Sequence, residues 1–190
     1  MPPFRRLGAC LATVLTLAIM TSACGSVPRD EFVAEMRSRG GGLTAALVRD
    51  AVGAFSKHYG TERLSFTSLV LASEDAGVTA HLRVPRHPDQ LDELTFTQDG
   101  LDGPSPVKTS ATDDLDRMSF TVQDVPGLRD VEKLVDTALV RTRYEGGYVA
   151  KITVTREASA PEITVAVSSP RADAMVAFAA DGRFTKVNRI

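Results

Sequence analysis

Imidazoles, thiols and clustered carboxylates are the groups with which this chain could do chemistry, and it is poor in the first two. The histidines are His58, His81 and His87, and the cysteines are Cys10 and Cys24. His81 sits on the polar side of an alternating run and His87 follows Pro85, so the two could share a metal ion. No carboxylate at ligand spacing completes such a site, which favours separate solvated histidines. Asp113, Asp114 and Asp116, and Asp99 and Asp102 with Gly100 and Gly103, are acidic groups of the kind that can hold calcium. Neither follows the loop spacing in which alternate oxygens and a final bidentate glutamate surround the ion, so a helix start and a pair of turns are the favoured readings. No Gly-x-Ser-x-Gly elbow occurs, and no cysteine follows Cys24 to serve as a nucleophile. Gly40-Gly41-Gly42 precedes a helical pattern but lacks the lysine and hydroxyl of a nucleotide loop, so a hinge is expected there. The expectation is no metal, no cofactor and no catalytic centre. A hydrolase using carboxylates such as Glu145 or Asp173 stands only as a distant alternative.

The densest group suited to recognition is Arg141, Arg143, Tyr144 and Tyr148. Arginine and tyrosine carry much of the energy at protein interfaces, which makes these four the candidate binding patch. A structural role competes with that reading. Arginines suit the carboxyl end of a helix, and tyrosines pack well over a sheet.

Helices and strands must position these residues, and their pattern is legible. Leu43, Leu47, Ala51, Val52, Phe55 and Tyr59 recur at spacings of three and four, a helix face closed by Gly60. Thr67–Ala72 is rich in strand formers. Val78, Ala80, Leu82 and Val84 alternate with Thr79, His81 and Arg83 as in a half-buried antiparallel strand. Leu94 and Phe96 mark another strand. Residues 100–114, with Gly103, Pro104 and Pro106, read as loop, and Met118, Phe120 and Val122 as a short strand. After Pro126-Gly127 the order begins again: a helix face of Val131, Leu134, Val135, Ala138 and Leu139, then strands at Tyr148–Thr155, Ile163–Val167, Met175–Ala180 and Phe184–Ile190. Asp181-Gly182 supplies a hairpin turn.

Leu43 and Leu128, Tyr59 and Tyr144, Pro85 and Pro170, and Arg86 and Arg171 share one offset of 85 residues. The expected fold is therefore α+β, two similar units over 43–125 and 126–190, each a helix packed on an antiparallel meander. In element order this resembles tandem PepSY-type and β-lactamase-inhibitor-type repeats.

The first residues read as an address. Arg5 and Arg6 begin a basic segment, the run Leu7–Met20 is apolar except at Gly8, Thr13 and Thr16, and small residues follow. Those are the three parts of a secretory signal, and a run of 14 residues is shorter than the roughly 20 a membrane span needs. Ser22-Ala23-Cys24 resembles the lipobox of bacterial lipoproteins, with Thr21 where that family favours leucine. The resemblance implies cleavage between Ala23 and Cys24, and a diacylglyceryl anchor on Cys24 that tethers the protein to the outer side of the cell membrane. Residues 24–42 then form a lipidated tether with a short helix over Asp30–Arg39. One asparagine, no tryptophan and abundant alanine, arginine, valine and threonine resemble the composition of an actinobacterial envelope protein.

Charge and size close the reading. Removing residues 1–23 takes away Arg5 and Arg6 and no acid, so the net charge moves from -2 to -4. That excludes a nucleic-acid binder working by bulk positive charge. The remaining 167 residues hold no disulfide and must be stabilised by their core, which a chain of this size can do. The function expected is a membrane-tethered, non-catalytic module binding another envelope protein. The alternative is a carrier of lipid or glycolipid in an apolar groove between helix and sheet.

Overall fold

A computed structural model describes residues 40–157 and 159–190. The expected signal peptide, the cleavage pair Ala23 and Cys24, and the Asp30–Arg39 helix all lie outside the described residues.

The first helix, α1, spans Ala45–Tyr59. Thr44 caps it by accepting a hydrogen bond from the Leu47 amide at 3.1 Å, which satisfies one of the orphan donors of the first turn. Val48, Ala51 and Phe55 form its buried stripe. Leu43 lies just before the helix rather than in it, yet is only 1% exposed and covers the core from outside the first turn. The second long helix, α2, spans Val131–Thr142 and buries Val131, Leu134, Val135, Ala138 and Thr142. Thr142 resolves its own burial by donating its hydroxyl to the Ala138 carbonyl at 3.0 Å.

Eight strands follow the helices in two groups: β1 Phe66–Ala72, β2 Gly77–Val84, β3 His87–Thr97 and β4 Gly100–Val107 after α1, then β5 Tyr148–Thr155, β6 Glu162–Ser168, β7 Asp173–Ala179 and β8 Phe184–Arg189 after α2. All pairings are antiparallel, in the order β4-β3-β2-β1-β5-β6-β7-β8. The fold is thus α+β with one continuous sheet, sewn at its middle by β1 and β5. There Leu69 faces Val154 and Leu71 faces Ile152.

Register explains why the core is continuous. Leu94, Ala80, Leu69, Val154, Ile163, Phe178 and Phe184 stand opposite one another in turn across seven strands. Phe96, Val78, Leu71, Ile152, Val165, Val176 and Val187 make a parallel row two residues along. Side chains alternate between sheet faces, so both rows point to the same side. They join the buried faces of α1 and α2 in a single apolar cluster. The opposite face carries Thr95, Thr79, Val70, Thr153 and Thr164 in its central row, all half-exposed. One-sided burial of this kind is what threonine alternating with valine and leucine encodes.

Two expectations need correction. Residues 100–107 are not loop but the edge strand β4, opposite Leu91–Thr97 of β3. Pro104 and Pro106 are tolerated because an outermost strand has one side with no ladder to donate to. Met118, Phe120 and Val122 do not form a strand. Leu115–Met118 is a helical turn capped by Asp114, Val122–Asp124 is a turn of 3-10 helix, and Phe120 alone pairs, in an isolated bridge to Phe66. Asp124 overrides the alternation because its carboxylate accepts both the amide (2.8 Å) and the hydroxyl (2.9 Å) of Thr121. These bonds hold its pKa below the usual aspartate value, the backbone bond first and the hydroxyl bond second.

Candidate functional site

The two arginines of the expected patch do come together, in company the sequence did not indicate. A surface hollow of about 610 Å3 opens beside the carboxyl end of α2, lined by Asp136, Thr137, Val140, Arg141, Arg143 and Arg189. α2 supplies the first five or their immediate continuation, and the last residue of β8 supplies Arg189. Arg189 stands opposite Ala174, and therefore on the helix-covered side of the sheet. Helix periodicity places Asp136, Val140 and Arg143 within two turns of one another on the exposed side of α2. Nothing local in the sequence links them to Arg189, 46 positions beyond Arg143; only the pairing of β7 with β8 does so.

Each arginine is held differently. Arg141 lies over the Phe184 ring with its guanidinium carbon 4.4 Å from the centroid, a cation–π contact between helix end and edge strand. Arg143 caps α2 with φ +56° and ψ +33°, the left-handed conformation that glycine adopts cheaply and other residues do not. The guanidinium groups of Arg143 and Arg189 make no ion pair with another described residue. Val140, on the rim, is 68% exposed, and Ile190, which follows Arg189 in the chain without lining the hollow, is 82% exposed.

The tyrosines do not line this hollow. Tyr144 packs partly against the core and donates its hydroxyl to the Asp173 carbonyl at a long 3.4 Å. Tyr148 begins β5, opposite Ser168. Both stand at the same end of the sheet as the hollow, but as parts of the sheet end rather than as its lining.

The remaining candidates are dispersed among local tasks. His81 Nε2 lies 2.9 Å from Glu93 Oε2 across β2 and β3 on the open face. His87 is exposed at the β2–β3 hairpin, opposite Val84, and His58 meets the edge of the Tyr59 ring at 4.9 Å. Asp113 accepts from the Ser110 amide, Asp114 from the Arg117 amide, and Asp116 from Arg83 at 2.5 Å. These residues line a second hollow of about 500 Å3 with Asp89. Asp102 accepts from the Gly103 amide and Asp99 donates its own amide to Thr97. Among the described residues no group of three histidines, cysteines or acids has the geometry to hold a metal. Glu145 and Asp173 are exposed and line neither hollow. Gly40 and Gly41 turn tightly against α2 and the end of β1: a β-carbon on them would stand 2.7 Å from a Val135 methyl and 2.3 Å from the Ser73 β-carbon. The glycines are thus packed against protein, which leaves no cradle for a phosphate.

The helix–sheet interface decides what kind of site is available. Phe55, Leu69, Leu71, Leu82, Ile152 and Phe178 are fully buried between the layers. Both hollows lie at the surface and are lined largely by polar residues. Among the described residues no helix is long and apolar enough to cross a membrane.

No protein-family model matches the chain, and no curated protein matches it. Among solved structures, a presumed lipoprotein from Clostridium difficile 630 superposes with a TM-score of 0.58 at 11% identity, over 75% of this chain and 92% of that one. At that identity the likeness shows a shared fold. A presumed periplasmic protein from Bacteroides eggerthii DSM 20697 aligns over 74% of this chain and 88% of that one at 19% identity. Its TM-score of 0.27 is too low to carry an argument.

Proposed function

We propose that this chain is an envelope lipoprotein, anchored through Cys24 after removal of residues 1–23, that works as a non-catalytic module recognising another envelope component at its surface. The observation that carries the reading is the filled helix–sheet interface: side chains occupy the space where a carried lipid would have to lie. A carrier needs an enclosed apolar cavity of several hundred Å3. The two hollows described above are open and lined mostly by polar residues instead. The lipobox-like Ser22-Ala23-Cys24 supports the anchor, and the fold shared with a presumed lipoprotein agrees with it.

The module is further proposed to be a duplicated unit. The order helix-then-four-strands occurs twice, and the offset of 85 residues that relates Leu43 to Leu128 also superimposes β2 on β6, and the start of β3 on the start of β7, to within a residue. Joining two such meanders through β1 and β5 gives one wide sheet with a single buried side.

The test is metabolic labelling with an alkyne fatty acid in the producing bacterium, together with photo-crosslinking from the protein's surface. Acyl label lost in Cys24→Ser, with a discrete protein adduct in the wild type, is the expected result. Label retained in Cys24→Ser would overturn the anchor. A stoichiometric lipid copurifying with the unacylated mature chain would overturn the module in favour of a carrier.

A further inference from the structure

The geometry points to a second membrane contact: the corner formed by Arg141, Arg143 and Arg189 binds the anionic phospholipid headgroups of the membrane to which the chain is tethered. This rests on the envelope-anchor reading for the presence of that membrane. Three arginines and one acid, Asp136, line a single hollow in a protein whose overall charge is negative. Local charge opposite in sign to the whole is the mark of electrostatic complementarity with a partner. Phosphate oxygens suit the planar fork of arginine, which can hold them bidentately.

Three further observations favour a lipid surface over a dissolved phosphate or an acidic protein. Val140, 68% exposed on the rim of the hollow, adjoins these arginines, and an aliphatic tip beside basic groups suits the boundary between headgroups and acyl chains. The described chain begins at Gly40, packed on Val135 of α2, less than two turns of helix from Arg141. From Cys24 to Gly40 is 16 residues, a reach of at most about 55 Å, so the anchor lets this corner meet the bilayer. Arg143, finally, holds its left-handed conformation with a guanidinium that pairs with no described residue. Strain of that kind persists where surrounding structure or function maintains it. One anchor and one basic patch together make membrane attachment stable and orient the domain, with α2 and the end of β8 facing the lipid and the β2–β3 hairpin facing away.

The experiment uses the mature chain from residue 24 carrying Cys24→Ser, so that no acyl group contributes, and measures cosedimentation with vesicles of phosphatidylcholine alone or of equal parts phosphatidylcholine and phosphatidylglycerol. At an anionic surface each arginine is worth roughly five-fold in partition. Binding is expected only with phosphatidylglycerol. It should fall about twenty-fold or more in the double variant Arg143→Glu, Arg189→Glu, and vanish in about 1 M salt, where the screening length is about 3 Å. The control is Arg63→Glu, Arg86→Glu, the same charge change at the opposite end of the sheet, which should bind nearly as wild type does. Should the first pair compromise folding, Arg143→Gln, Arg189→Gln must still show an intermediate loss. Binding to both vesicles alike, binding to neither, or equal loss in the two charge-reversed pairs would overturn the proposal. Because Cys24 is substituted throughout, these outcomes are independent of whether the anchor or the protein-binding reading survives its own test.

Discussion

The two helix ends make a controlled comparison of backbone strain. α1 closes on Gly60 at φ +65° and ψ +28°, and α2 closes on Arg143 at φ +56° and ψ +33°. The conformations are nearly the same, while one residue lacks the β-carbon that makes it costly. For a residue with a β-carbon the left-handed state costs about 1–2 kcal/mol. Arginine at a helix carboxyl end returns about 0.3–1 kcal/mol through the dipole. Arg143→Ala removes the charge and keeps the strain, so it should lose the smaller amount. Arg143→Gly removes both, so its excess over Arg143→Ala isolates the strain at about 1–1.5 kcal/mol, independent of the dipole. In a chain of this size each kcal/mol is worth about 2–4 °C, which places the glycine variant roughly 2–6 °C above the alanine variant. Urea titration and thermal circular dichroism of the mature Cys24→Ser chain measure both quantities. A glycine variant no more stable than the alanine variant would refute the reasoning, because a β-carbon would then cost nothing in this conformation. Gly60→Ala should lose about the same 1–1.5 kcal/mol for the mirror-image reason.

Further outcomes follow from contacts elsewhere in the fold. Gly127→Ala should destabilise by about 1–3 kcal/mol, since a β-carbon there would stand 2.6 Å from the Gly182 amide nitrogen in the β7–β8 turn. Gly53→Ala, with nothing within 4 Å, should instead stabilise α1 by about 0.5–1 kcal/mol in denaturant titrations. Tyr59 donates its hydroxyl to Asp92 Oδ2 at 2.8 Å, and burial, then that bond, then the Asp92 charge raise its pKa well above the usual tyrosine value. Its contribution is complete below about pH 10 and is lost as pH rises toward the folded value, so Tyr59→Phe should be less stable near neutrality by about 1 kcal/mol and should lose less on going to alkaline pH. For Asp124 the sign reverses: a depressed folded pKa means stability present above about pH 4 and lost below it, so Asp124→Asn should flatten the acid limb of a pH–stability curve. An unchanged acid limb would mean that the Thr121 bonds do not persist in solution.

Much of this protein is written locally. Helix faces recurring at three and four, strands alternating at two, and Gly60 and Asp181-Gly182 as stops all appear in the folded chain close to where periodicity puts them. Local rules misplace β4 because proline forbids a central strand but not an edge, and whether a strand is an edge is a property of the whole sheet. They misplace Phe120 because its pairing partner, Phe66, is 54 positions earlier and Asp124 bends the chain away after it. The candidate site divides in the same way. Arg141 and Arg143 stand out because both sit at one helix end, a short-range matter. Tyr144 and Tyr148 are drawn into the sheet end, and Arg189 and Val140 enter the site through the docking of α2 over β5–β8.

By itself, then, the sequence determines the α+β class and the two helix-and-strand series, since those depend on residue type and on spacings within one or two turns. Tertiary structure alone decides that the two series share one sheet, that large apolar side chains are buried between helices and sheet, and that Arg189 joins Arg141 and Arg143 at one corner. Those outcomes depend on register and packing between segments tens of residues apart, where a single buried pair such as Leu69 and Val154 is worth more than any local preference.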